Sequence, residues 1–150
     1  MDDTDRRLLR LLQKDGRMPN VELARQAHLS QAATSERVRR LQREGIIEGY
    51  AVRLNPALLE RALLVFVEVT LDRTSTTVFE DFAAAVRRIP EIQECHMLAG
   101  GFDYLIKVRV RDMAAYRRFL GDSLVKLPGI RQTHTYTVME EVKNTAELPI

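Results

Sequence analysis

Four arginines, Arg37, Arg39, Arg40 and Arg43, fall within seven residues. A guanidinium is permanently charged and presents a planar fork of donors that matches phosphate oxygens and the edge of guanine, so such a cluster points to a polyanion. The charge balance supports the idea. Residues 1–50 hold ten Lys/Arg against eight Asp/Glu, whereas residues 51–150 hold thirteen of each. The alternative is a solvated helix face. A second candidate is Gly100-Gly101-Phe102-Asp103-Tyr104. There the Asp103 carboxylate could take a ligand ammonium, and the glycine backbone could approach and bind a ligand carboxylate, which together suit a zwitterionic amino acid. The same residues also fit a two-residue hairpin turn with Asp103 on its rim.

Other chemistry finds little support. His28, His96 and His134 lie on separate predicted elements without metal-ligand spacing, so no metal site is expected. The single cysteine, Cys95, excludes an intrachain disulfide and sits mid-strand among apolar neighbours, where a thiol is inert. No glycine-rich phosphate loop is present. The start, MDDTDRR, lacks the apolar core of a signal peptide. The longest apolar run, Ala62 to Val67, is six residues, far short of the roughly 20 that span a bilayer. The expectation is a cytoplasmic protein with no membrane partner, no cofactor and no catalytic activity.

The arginines must be positioned by helices. Asp3 or Thr4 can cap a first helix carrying Leu8, Leu9, Leu11 and Leu12, ended at Asp15-Gly16. Asn20 can cap a second, with Val21, Leu23, Ala24 and Ala27. After a tight turn at His28-Leu29, Ser30 caps a third that runs to about Glu44 and stops at Gly45. Two helices joined by so short a turn have the dimensions of a helix-turn-helix. At about 100° per residue, Thr34, Val38 and Leu41 face inward, and Ala32, Ala33, Glu36, Arg39, Arg40 and Arg43 lie on the opposite arc. Small residues at the N-terminal half of that arc admit the backbone to a major groove, and arginines beyond them reach phosphates and bases. Ser30, Gln31 and Arg37 complete the expected contact set. Glu36 could accept from a cytosine amino group or pair with Arg40 at i,i+4. The alternating segment Ile46–Leu54 predicts a strand or wing.

Beyond the Asn55-Pro56 turn, Ala57–Glu60 predicts a short helical segment. Strands are then expected at Leu63–Leu71, Ile92–Leu98, Phe102–Val110 and Ile130–Val142, with helices at Thr77–Ile89 and from Asp112 to about Leu127. The order βαββαβ is the ferredoxin-like sandwich, so the fold class is α+β, a (winged) helix-turn-helix followed by that sandwich. The expected division is 1–50 for the helical domain, 51–61 for a β-linker and 62–150 for the second domain. Two helices would cover one sheet face. The other would carry Phe66, Glu68, Cys95, Met97, Lys107 and Arg109 or their register neighbours, a part-apolar surface suited to a second copy of the chain.

Over residues 1–143 the chain resembles the leucine-responsive regulator family, Lrp/AsnC. The resemblance is carried by LLRLLQKDGRMPNVELARQAHLS, ERVRRLQREGIIEGYAVRLNP, LLVFVEVTL, IQECHMLAGGFDYLIKVRV and DMAAYRRFLGDSLVKLPGIRQTHTYTVMEEVK. It looks closest to leucine- or alanine-responsive members. It implies a DNA-binding helix-turn-helix joined to an amino-acid-sensing domain, in a homodimer that can assemble into an octamer. It also implies an effector bound between subunits near Gly100, Gly101, Phe102, Asp103 and Tyr104, with His134, Thr135 and Tyr136 contributing. The chain departs from the family pattern at Ser30-Gln31-Ala32-Ala33, where relatives carry Ser-Pro-x-Pro. It departs again at Gly101, where relatives carry Asp. The expected function is an amino-acid-responsive transcriptional regulator that binds palindromic double-stranded DNA, with free leucine or another small amino acid as effector. The rival classes are a ferredoxin-like enzyme with a helical appendage and a sequence-indifferent architectural DNA-binding protein.

Overall fold

The computed structural model describes residues 1–73 and 75–150. The chain divides into two compact units, residues 1–53 with 143–150, and residues 54–142. The tail 143–150 was expected with the second domain. It instead packs with the first unit, where Gln13 of the first helix clamps the Leu148 backbone, donating to its carbonyl at 3.1 Å and accepting from its N–H at 2.6 Å.

In the first unit, α1 (Asp3–Lys14), α2 (Asn20–Ala27) and α3 (Gln31–Arg43) enclose Leu8, Leu23 and Ala27, with Leu11, Leu12, Met18, Leu29 and Val38 around them. The cap of α1 is Asp2 rather than Asp3 or Thr4. Asp2 accepts from the Asp5 N–H at 2.8 Å and Asp5 accepts from the Asp2 N–H at 3.0 Å, a reciprocal capping box. Helix α2 begins after Pro19, so Asn20 is its first residue and not its cap; the Asn20 amide donates to the Gln31 carbonyl instead. His28 adopts the left-handed conformation that lets α2 turn into α3, and Ser30 caps α3 by accepting from Ala33. Gly45, at φ 71°, ends it. No strand forms over 46–54 despite its alternation, because a lone extended segment has no ladder partner here. The segment 57–60 is a turn, fastened by the Asn55 side chain, rather than a helix.

In the second unit, β1 (Leu63–Leu71) lies between β3 (Tyr104–Val110) and β4 (Ile130–Thr137), and β2 (Ile92–Met97) forms the edge beyond β3, giving the antiparallel order β2-β3-β1-β4. Helices α4 (Val78–Val86) and α5 (Met113–Asp122) cover one face. Val65, Val67, Val69, Ile106 and Val108 of the sheet meet Phe82, Val86, Tyr116, Phe119 and Leu124 there. Burying each such side chain contributes about 1.5–3 kcal/mol. The last helix is shorter than expected, giving way to a 3-10 turn at Leu124–Lys126, and β4 ends at Thr137 rather than Val142.

One register shift reverses an expectation. Between Ile92 and Glu94 an extra residue enters β2, so that Ile92 pairs with Val108 and Cys95 with Ile106. Both Ile92 and Cys95 thereby pack against the helix-covered core, although three residues apart. Cys95 and Met97 therefore belong to the helix side, and Glu94 and His96 replace them beside Lys107 and Leu105 on the open face. Phe66, Glu68, Lys107 and Arg109 lie on the open face as expected. There Arg109 is nearly buried, held by Glu141 and the Arg61 carbonyl.

Candidate nucleic-acid interface and effector cleft

Helix α3 turns Thr34 and Leu41 fully inward, while Gln31, Ala32, Glu36, Arg39 and Arg43 are exposed along one stripe. Ser30 sits at the N-terminal end of that stripe and Ala33 at its border. Two of the expected arginines are engaged within the chain. The Arg37 guanidinium donates to Asp2 at 2.7 Å and to Asp5 at 2.8 Å, and Arg40 donates to Asp5 at 2.6 Å. Arg40 is one residue from Leu41, at the edge of the inward arc, and the buried anion of Asp5 draws it to that side. Glu36 consequently pairs with Arg43 at 3.4 Å and not with Arg40.

Burial alone would raise the Asp5 carboxyl. The Asp2 amide, Arg37 and Arg40 outweigh it and hold Asp5 below the ordinary carboxylate value. Asp2 lies at about 2, lowered first by the Asp5 N–H and then by Arg37.

In the second unit a cleft of about 460 Å³ opens where β1 ends, β4 begins and the β2–β3 loop folds over. Gly100, Gly101, Phe102 and Asp103 line it, joined by Arg73 and Arg131. The loop spans residues 98–103 rather than a two-residue hairpin, closed by the Leu98 N–H donating to the Asp103 carbonyl at 2.9 Å. Asp103 is only 5% exposed, so it does not sit on the rim. One carboxylate oxygen accepts the Leu71 N–H at 2.8 Å and the other accepts Arg73 at 2.7 Å. These partners, the Leu71 N–H first, hold its carboxyl below the usual range against the effect of burial. Arg73 also lies 5.9 Å over the Phe79 ring. A Cβ at Gly100 or Gly101 would meet nothing within 4 Å, and neither residue has a positive φ, so the fold of one chain does not require glycine there.

The other expected effector residues do not converge on this cleft. The Tyr104 ring is in the core, 4.7 Å from Phe82. Thr135 faces the helices, where its hydroxyl lies 2.7 Å from that of Tyr116. His134 and Tyr136, on the alternate positions of β4, face the open side opposite Glu68 and Phe66. Sequence reasoning missed Arg73 and Arg131. Their signal was topological, since both sit where adjacent strands end and begin beside the loop. A second cleft, of about 350 Å³, lies at the other end of the sheet, floored by Val110 and Phe119 and rimmed by Arg61, Arg111 and Arg118. Among the described residues no group of three His, Cys, Asp or Glu could hold a metal ion. Among them, too, no helix is long and apolar enough to cross a membrane.

Comparison with known proteins matches both units. Residues 1–48 match a winged helix-turn-helix DNA-binding model, and residues 64–148 match the Lrp/AsnC ligand binding domain. The leucine-responsive regulatory proteins of Salmonella typhimurium and Escherichia coli K12 are each 55% identical over 150 residues, covering 100% of this chain and 92% of theirs. Among solved structures, a transcriptional regulator from Neisseria meningitidis in complex with L-Met superposes with a TM-score of 0.95 at 36% identity, covering 99% of this chain and 96% of that one. An AsnC family transcriptional regulator from Agrobacterium tumefaciens gives 0.95 at 32% identity, covering 99% and 97%.

Proposed function

The chain belongs to the Lrp/AsnC family of transcriptional regulators, and from that premise we propose that it is a homo-oligomeric regulator whose effector is a small apolar amino acid bound at the Arg73–Asp103–Arg131 cleft. Its relatives are regulators, not enzymes, and its two domains serve DNA and an amino acid. The observation that carries the finer reading is the charge arrangement of the cleft. Arg73 and Arg131 offer guanidinium forks to an α-carboxylate, and Asp103, kept ionised, offers its remaining lone pairs to an ammonium. Open space beside Gly100 and Gly101 leaves room for the ligand or a partner chain against the loop. The response of relatives to leucine, and the methionine seated in the Neisseria regulator, favour an aliphatic side chain.

On DNA, the proposed contact set is Ser30, Gln31, Ala32, Ala33, Glu36, Arg39 and Arg43. A two-fold dimer would place two copies of α3 on half-sites of a palindrome about 10–10.5 bp, or a multiple, apart. An effector that touches the subunit boundary can shift assembly through its differential affinity for the assembled states. A cytoplasmic location accords with this reading, since a regulator needs access to its DNA.

A thermal-shift screen against the twenty amino acids tests the effector reading. A ligand at 100 times its Kd adds about 2.7 kcal/mol of stability. Leucine, methionine or alanine should raise the melting temperature while aspartate and lysine do not. A flat response to all twenty would end the proposal.

A further inference from the structure

Two of the four clustered arginines are occupied within the chain. Asp5 is 1% exposed and accepts three hydrogen bonds: from the Asp2 N–H at 3.0 Å, from Arg37 at 2.8 Å and from Arg40 at 2.6 Å. The capping box needs only an acceptor at this position, which a neutral side chain supplies equally well. The negative charge is extra to the cap, and what it adds is a hold on α3. Arg37 and Arg40, three residues apart, share the helix face toward α1, so one carboxylate engages both and fixes the rotation of α3 about its own axis. The close pair of Arg40 is Asp5; its Nε is buried without a hydrogen bond, and Glu44 gives it only a loose ion pair at 3.9 Å. Release into solvent would satisfy that group, so the charge of Asp5, with a weaker contribution from Glu44, keeps Arg40 inward.

We propose that Asp5, supported by Asp2, is a positioning residue for sequence discrimination, an internal substitute for phosphate that withholds Arg37 and Arg40 from the DNA backbone while fixing which stripe of α3 faces the bases. The inference rests on the reading of the exposed α3 stripe as the DNA-facing side. Phosphate contacts strengthen binding to every sequence alike, whereas base contacts separate one sequence from another. Two guanidinium groups held on a carboxylate lower the sequence-independent background and leave base reading intact, which raises the ratio of specific to non-specific binding.

The test measures binding of the full chain to a scrambled duplex, and to a duplex this protein selects from a random library, between 50 and 200 mM salt. Asp5→Asn preserves size and the cap acceptor and removes the charge. Each guanidinium it frees steepens the salt dependence by about 0.9 in slope, equivalent to about 3.5-fold more affinity lost across that range. Affinity for the scrambled duplex at 50 mM should rise, and the selected-to-scrambled ratio should fall. Adding Arg37→Gln and Arg40→Gln to Asp5→Asn should return the slope to that of the parent chain. A residue that only supports the fold would instead weaken binding to both duplexes at unchanged slope, and that result overturns the proposal. Should Asp5→Asn not fold, the single changes Arg37→Gln and Arg40→Gln decide. Unchanged slopes support withholding, and a drop of about 0.9 each shows that these arginines already touch phosphate. Arg39→Gln and Arg43→Gln separate this from the underlying reading, because a slope indifferent to both rejects the α3 stripe whatever Asp5 does.

Discussion

Asp103 joins three parts of the second unit: the end of β1 through the Leu71 N–H, the segment after it through Arg73, and the β2–β3 loop through its own backbone. Removing its charge leaves a buried N–H with a weaker acceptor and Arg73 without its partner. Asp103→Asn is expected to cost about 1–3 kcal/mol in urea unfolding and to weaken amino-acid binding as well. The pH dependence has a definite sign. Because the folded carboxyl lies below its unfolded value of about 3.9, its contribution is complete above that value and is lost as pH falls through the lower folded one. Asp103→Asn should therefore narrow its deficit against the parent chain as pH is lowered from 6 to 3, and a constant deficit would contradict this account. The sequence marked Asp103 as a candidate because a carboxylate near a glycine pair suits a zwitterionic ligand. It did not disclose the Arg73 partner, thirty residues away, because that contact depends on where β1 stops against the loop. The same holds for Arg37 and Arg40: helical periodicity set Arg40 on the outward arc and left Arg37 unassigned, and only the approach of α1 brings both to a carboxylate.

Elements were more legible than their faces. The strand LLVFVEVTL appears at Leu63–Leu71 with its valines inward, because strict alternation survives in a central strand whose register both neighbours fix. In β2 the extra residue between Ile92 and Glu94 defeats that arithmetic, and Cys95 packs half-buried against the core, where burial raises its thiol pKa. The two positive-φ glycines separate conformational strain from crowding. Gly45 and Gly129 both have φ 71°, but a Cβ at Gly45 meets open space, whereas one at Gly129 would lie 2.1 Å from Val78 of α4. Gly45→Ala should cost about 1–2 kcal/mol from backbone strain alone. Gly129→Ala should cost about 1–3 kcal/mol more, since Val78 packs in the core and cannot withdraw freely. Equal unfolding midpoints for the two variants would remove the crowding argument.

At the scale of the whole molecule, the open sheet face sets out two rows. Glu94, Lys107, Phe66 and Tyr136 form one, and His96, Leu105, Glu68 and His134 the other. Aromatic and aliphatic groups flanked by charges of both signs suit a self-complementary contact around a two-fold axis. Phe66 lies on the face away from the helix-side core, so Phe66→Asp should leave the fold intact while converting the proposed dimer to monomers in sedimentation. Affinity for a palindromic duplex should drop toward that for a half-site. A Phe66→Asp chain that sediments as the parent does would reject this face as the contact between copies. The fold class was readable from the sequence, and so were the arginine-bearing helix and the glycine loop as local features, since these rest on periodicity and on residue type. The placement of the tail was not, because nothing in 143–150 shows which surface receives it.

That placement has a consequence for biosynthesis. The first unit is discontinuous: its helices are made before residues 54–142, and the segment that Gln13 clamps is made after them. At about 5–20 residues per second, a ribosome takes roughly 5–20 s to supply the missing piece. The nascent helices can cap and pack on schedule, yet their unit reaches its final form only after the whole sensing domain has emerged. An interrupted translation product thus carries its helical segment without the clamp that closes it.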